Sequence, residues 1–159
     1  MNLAVTIAPL SFLWWMGIIL SLLIGILIIQ LAIRIPPDKR TILRISIGIL
    51  MFSEELFNQF YMVKLGIWHS SSSLPLHLCG ITGLLSAMMM IKNKQMGFEF
   101  ILMPGFAGAL HALLTPQLNH GGDTIQVINY YIGHSGILIV AFYLAIVEGY
   151  RLRKSSWIK

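Results

Sequence analysis

The only cysteine of the chain, Cys79, follows His77 by two residues in the stretch Ser71-Ser72-Ser73-Leu74-Pro75-Leu76-His77-Leu78-Cys79-Gly80. A thiol beside an imidazole is a nucleophile beside a base, the pairing that covalent acyl transfer requires. The stretch also has a plainer reading, as a serine-capped helix start holding an inert, packed cysteine. On an ideal helix His77 and Cys79 point about 200° apart. A base for Cys79 is therefore sought on other helices, where His134 and then His111 are the candidates. Four polar residues accompany them on one segment: Glu54, Glu55, Asn58 and Gln59. Either Glu54 or Glu55 could orient a catalytic histidine, as the third group of a triad does. Asn58 and Gln59 are candidate donors to an oxyanion. Glu54 and Glu55 also read as internal hydrogen-bond anchors.

The segments that must position these groups are apolar to a degree that excludes a water-soluble fold. Of 159 residues, 57% are hydrophobic and 11% are charged, against roughly a quarter charged in an average soluble domain. The mean hydropathy is +0.79. Five apolar runs stand out, at about Pro9–Ile33, Ile42–Trp68, Leu74–Ile91, Phe98–Thr115 and Ile125–Tyr150. They are continuous rather than alternating, and each approaches the ~20 residues of a spanning helix. The expected fold is all-α: one integral membrane domain over 1–159, a polytopic transmembrane helix bundle with five spans.

Punctuation agrees with this division. Ile35-Pro36-Pro37-Asp38 breaks the chain after the first run. Ser70–Ser73 and Pro75 read as a cap with proline in the first turn of helix three. Lys92-Asn93-Lys94-Gln95 makes a short turn, and Asp123-Thr124 caps the last helix. The first ten residues hold no Lys or Arg, and the run after them is too long for a signal core, so it is expected to be retained as a helix.

The sequence pI of about 9.6 does not point to nucleic acid, because the basic residues lie between the apolar runs. Arg34, Lys39, Arg40 and Arg44, then Lys92 and Lys94, then Arg151, Arg153, Lys154 and Lys159 all fall on one side of a five-helix layout. The positive-inside rule assigns that side to the cytoplasm, with the N-terminus outside and the C-terminus inside. Glu54 and Glu55 then lie near the midplane, while His77, Cys79, His111 and His134 lie in the outer half, with His69 and His120 in outer loops. Ionisable groups at such depth line a bundle interior or a wet cavity, so a polar cavity open to the outer leaflet is expected.

The string Leu74-Pro75-Leu76-His77-Leu78-Cys79, with Tyr131-x-x-His134 two helices later, resembles the YwaF family of bacterial membrane proteins, which is related to the transmembrane-protein-164 acyltransferases of animals. The resemblance covers segments two to five. It implies a polytopic helical fold in a bacterial plasma membrane. It also implies lipid acyl transfer, with a cysteine carrying the acyl group and a histidine assisting; by position these are Cys79 and His134. Typical members continue for about two more helices, so the cavity wall those helices supply is expected to be missing here.

The expected function is that of an integral membrane acyltransferase or lipid hydrolase acting on phospholipid acyl chains through a Cys79 acyl-enzyme. Membrane lipids are the expected partners, and no cofactor is expected. A metal- or haem-binding protein is one alternative, although no two histidines stand at i, i+3 or i, i+4. A non-catalytic membrane subunit is the other.

Overall fold

The fold is described by a computed structural model, covering residues 4–92, 94–119 and 121–153. Asn93, His120, Lys154 and Lys159 lie outside the described residues. Five helical rods run through the described chain: α1 Phe12–Arg34, α2 Pro37–Lys64, α3 Leu78–Ile91, α4 Gln95–Leu114 and α5 Thr124–Ile146. A short antiparallel ribbon joins β1 Val5–Thr6 to β2 Gln117–Leu118, with Val5 opposite Leu118.

Local sequence accounts for most of the boundaries. The Ser11 hydroxyl accepts from Trp14 N–H and starts α1, and Pro37 opens α2, where its missing N–H costs nothing. The Asp123 carboxylate accepts from the N–H groups of Ile125 and Gln126 at 2.9 and 3.2 Å, starting α5. That helix stops at Ile146, short of Tyr150. Gly149 takes φ +76° there, a left-handed conformation that reverses the chain, and Tyr150 N–H returns to Leu144 O at 3.0 Å. Inside α4, Pro104 cannot donate to the helical ladder. The turn Ile101–Gly105 widens into a π-helix around it, as such insertions do.

Helix α3 begins later than the sequence predicts. Pro75 lies in a turn ahead of the helix, not in its first turn, and Leu76 N–H bonds Leu74 O at 2.7 Å. The turn folds back over the helix start: a Cβ on Gly80 would stand 2.7 Å from Pro75 Cα. Only glycine admits that approach.

Three rods, α1, α4 and α5, are long and apolar enough to cross a membrane, with hydropathies of 2.7, 1.4 and 1.5. With 28 residues α2 has the length, but Glu54, Glu55, Asn58 and Gln59 make it more polar. At 14 residues α3 is short for a span. Helix α1 is peripheral, touching the bundle through Trp14, Gly25 and Ala32, while Leu22, Leu23, Ile26 and Leu27 stand exposed.

The apolar core fills one half of the bundle, where Met90 of α3, Phe98 and Ile101 of α4, and Ile137, Val140, Tyr143 and Leu144 of α5 are almost wholly buried. Polar contacts close the end beyond it. Arg44 Nη1 donates to Met90 O at 2.8 Å and Arg44 pairs with Glu148 at 3.8 Å. Arg153 clasps Glu99 through Nε and Nη2 at 2.7 and 2.8 Å, and this pairing raises the guanidinium pKa further above its ordinary value. Three basic regions thus meet at one end of the bundle. The opposite end carries the ribbon and the loops around His69 and Asn119.

Glycine sets the spacing of α2 and α3. A Cβ on Gly48 would lie 2.8 Å from Ala87 O, whereas one on Gly83 would meet nothing within 4 Å. Gly48→Ala is therefore expected to cost about 1–3 kcal/mol by overpacking. Gly83→Ala should be neutral or gain up to about 1 kcal/mol from helix propensity. Thermal unfolding of both variants in detergent measures the contrast.

Candidate functional site

Helix α2 brings Gln59 to a crossing point of three segments. Its Nε2 donates to Glu55 Oε1 at 2.8 Å and to Ser73 O at 2.9 Å, and its Oε1 accepts from Trp68 Nε1 at 2.8 Å. Ser73, only 3% exposed, extends the chain of bonds: its Oγ accepts from His69 N–H at 3.0 Å, and its own N–H reaches His69 O at 2.8 Å. Both amide hydrogens of Gln59 are engaged, so Gln59 serves as an anchor rather than as the free oxyanion donor considered from sequence. Glu55 belongs to the same anchor. Glu54 points elsewhere, its Oε2 coming within 3.5 Å of where a Gly133 Cβ would stand.

Beyond this anchor a cavity of about 730 Å³ opens among α2, α3, α4 and α5. All eight residues singled out by sequence line it: Glu54, Glu55, Asn58, Gln59, His77, Cys79, His111 and His134. His77 is the N-cap of α3, with extended backbone at φ −76° and ψ 160° and no side-chain cap bond. The ideal-helix separation of His77 from Cys79 does not apply to a residue outside the helix, and both side chains reach the same space. Cys79 sits in the first turn of α3, half-buried. Its Sγ lies 3.7 Å from the position a Gly108 Cβ would take, so a larger residue at 108 would narrow the cavity at the thiol. No side chain caps this first turn.

His134 is half-buried on α5. Its Nδ1 lies 2.8 Å from Tyr130 O. A carbonyl only accepts, so Nδ1 carries the proton and Nε2 is left with a lone pair. The ring leans on Tyr130 with centroids 4.2 Å apart. Tyr130 is itself fixed by donating from its hydroxyl to Ala112 O at 2.8 Å. The partner that orients His134 is therefore a backbone carbonyl of its own helix, not Glu54 or Glu55. His111, in the last turn of α4, is exposed at the cavity rim.

Sequence reading missed Gln126 and Asn129. Both line the cavity and are 7% and 8% exposed. Both Gln126 amide atoms and Asn129 Nδ2 lack a hydrogen-bond partner. The signal was present: residues 126, 129, 130, 133 and 137 follow the i, i+3, i+4, i+7 spacing of one helix face. Thr6 and Gln117 of the ribbon complete the rim. Among the described residues no three His, Cys, Asp or Glu side chains converge as metal ligands would, so a metal centre finds no ready-made donor set.

These features define a helical membrane protein with a polar cavity at the end of the bundle opposite its basic loops. A model of the TMEM164 family matches residues 6–159, and the chain belongs to that family. No curated protein and no solved structure matches it.

The anchor can be tested apart from any activity. Gln59→Leu removes three hydrogen bonds and leaves Trp68 Nε1 and Ser73 O without their partner. A loss of about 2–4 kcal/mol is expected, with faster proteolysis of the segment 65–77 in detergent. An unchanged melting temperature and digestion pattern would show that the loop is held by other contacts.

Proposed function

We propose that the protein is a membrane lipid acyltransferase, or a lipid hydrolase when water is the acceptor, working through an acyl-thioester on Cys79. The observation that carries this reading is the shared cavity: a half-buried thiol and an imidazole with a free Nε2 open into one space between apolar helices. Membership of the TMEM164 family adds support, given the acyl-transfer chemistry implied by the resemblance of its motifs.

In the first half-reaction His134 Nε2 takes the Cys79 proton. The thiolate attacks the ester carbonyl carbon of a phospholipid acyl chain, a C–S bond forms, and the departing alkoxide leaves with the proton from His134. In the second, an acceptor hydroxyl gives its proton to His134 Nε2. Its oxygen attacks the thioester carbon, and the C–S bond breaks to return the thiolate, which His134 reprotonates. The amide end of α3 is a source of positive potential for the oxyanion. Asn58 remains a side-chain donor for it, and His111 is the second choice of base.

The same reading has all five rods crossing the bilayer, α2 and α3 as a pair shielded by the others. The basic end faces the cytoplasm and the cavity opens to the outer leaflet of a bacterial plasma membrane, in accord with the positive-inside rule.

Intact-protein mass spectrometry of the purified chain incubated with phospholipid should show one acyl mass on the wild type and none on Cys79→Ala. His134→Gln should slow acylation by about 10²–10⁴-fold, the usual worth of a general base. Cellular lipid profiles that are identical on overexpression of wild type and Cys79→Ala, with no acyl adduct on the wild type, would remove the proposal.

A further inference from the structure

The cavity changes character along its length. Toward the ribbon its lining includes the amides and hydroxyl of Asn58, Gln59, Ser73, Gln126 and Asn129. Toward the basic end it turns apolar. One helical turn deeper than Glu54, Cys79 and His134 the lining residues are Met51, Gly83 and Ile137. Met51 precedes Glu54 by three residues, Gly83 follows Cys79 by four, and Ile137 follows His134 by three. Helix α2 runs opposite to α3 and α5, so all three steps lead the same way, by about 4.5–6 Å at 1.5 Å per residue.

The space in front of Gly83 is empty. On a helix Gly83 points within about 40° of Cys79, and Ser86 and Met90 further along that face are buried. Yet a Cβ on Gly83 would meet nothing within 4 Å. The floor beyond it is closed. Ile137 is 2% exposed, Met51 packs on the apolar core, and its Cε lies 3.0 Å from where a Gly136 Cβ would stand. A gap in a close-packed interior forfeits dispersion contacts for the atoms around it, and an apolar occupant restores them. Met51, Gly83 and Ile137 offer no polar side chain to hold a water there.

The thiol stands at the border between the two halves. An acyl group on Sγ has its carbonyl at that border, and its alkyl chain continues into one half or the other. Only the apolar half takes it without desolvating amides and hydroxyls. A phospholipid with its headgroup toward the ribbon has its chains running the same way.

We infer that Met51, Gly83 and Ile137 form the acyl-chain slot of the site, and that Gly83 is the position that sets how much chain it admits. The inference rests on acyl transfer at Cys79 for the nature of the occupant, but alkyl thiol reagents read the slot without turnover.

The probes are methyl and dodecyl methanethiosulfonate, which attach their alkylthio group to Cys79 Sγ as a disulfide and release methanesulfinate. Their rates on the full chain in detergent are followed by intact-protein mass spectrometry, wild type beside Gly83→Leu. Comparing the two proteins at each chain length cancels the partition of the reagent into detergent. Gly83→Leu should slow the dodecyl reagent at least tenfold more than the methyl reagent, since the added side chain takes the room of about three methylenes, each worth about fourfold. Gly83→Ala should give about fourfold by the same measure, and it carries the test if Gly83→Leu does not fold. Acylation of Cys79 by phosphatidylcholine should follow the same order, with Gly83→Leu losing oleoyl transfer at least tenfold more than butyryl transfer. A folded Gly83→Leu that slows both reagents alike overturns the inference, because its side chain then obstructs the thiol and not a chain. So does one that slows neither. Chain-length dependence with the reagents but no acyl adduct from phospholipid removes acyl transfer and leaves an apolar slot beside Cys79. An acyl adduct that forms with no chain-length dependence in either variant removes the slot alone.

Discussion

The cavity depends on how Gln59 is bonded. In a fold whose outer surface faces lipid, a polar side chain has no water to fall back on, and every atom Gln59 offers is used inside the bundle. Two donated bonds and one accepted bond join helix α2 to Trp68 and to Ser73. Ser73 passes the constraint on through its hydroxyl and amide to His69. The loop thus fixed turns at Pro75 and delivers His77 and Cys79. The turn at Pro75 can close because Gly80 presents no Cβ to it. One amide side chain, one serine and one glycine therefore decide where the thiol stands.

The price of this arrangement is that α2 is less apolar than its neighbours, and the rest of the fold offsets it. Met90, Phe98, Ile101, Tyr143 and Leu144 form a continuous apolar core in the half of the bundle away from the cavity. Arg44 with Glu148 and Arg153 with Glu99 close that end. Dense packing at one end lets the other stay open. The opening itself is built from missing side chains: Gly83, Gly108 and Gly133 all border it. A Cβ at Gly133 would make ordinary contact with the Glu54 carboxylate at 3.5 Å, and one at Gly108 with the Cys79 sulfur at 3.7 Å.

The helices were legible in the sequence because apolar run length is a direct physical requirement of a bilayer. Their ends were less so. Pro75 read as a first-turn proline, but the Leu74–Leu76 turn and its contact with Gly80 are tertiary, and no local pattern announces them. The π turn around Pro104 was equally silent, since a proline in an apolar run tells of strain without telling how it is relieved. The eight candidate residues share one cavity because ionisable and amide groups avoid lipid together, and that rule can be read from sequence. What each of them does there could not be read. Gln59 and Glu55 became an anchor only once Trp68 and Ser73 were in view, and Gln126 and Asn129 were passed over although they share a helix face with Tyr130 and Gly133.

Among the histidines at the cavity, the proposed chemistry falls to His134 for a reason that lies in its own helix. Its Nδ1–H is held by the carbonyl four residues earlier, a partner that is present whenever α5 is helical and does not depend on another rod arriving at the right distance. The tautomer with a free Nε2 is therefore fixed by secondary structure alone. His77 and His111 have no comparable tether: the first caps α3 without a side-chain bond, and both stand exposed at the rim. His134, by contrast, is bonded to its own helix backbone and packed on the Tyr130 ring. Pre-organisation of that kind is what separates a base from a nearby histidine. It also explains why neither glutamate is needed to orient the ring.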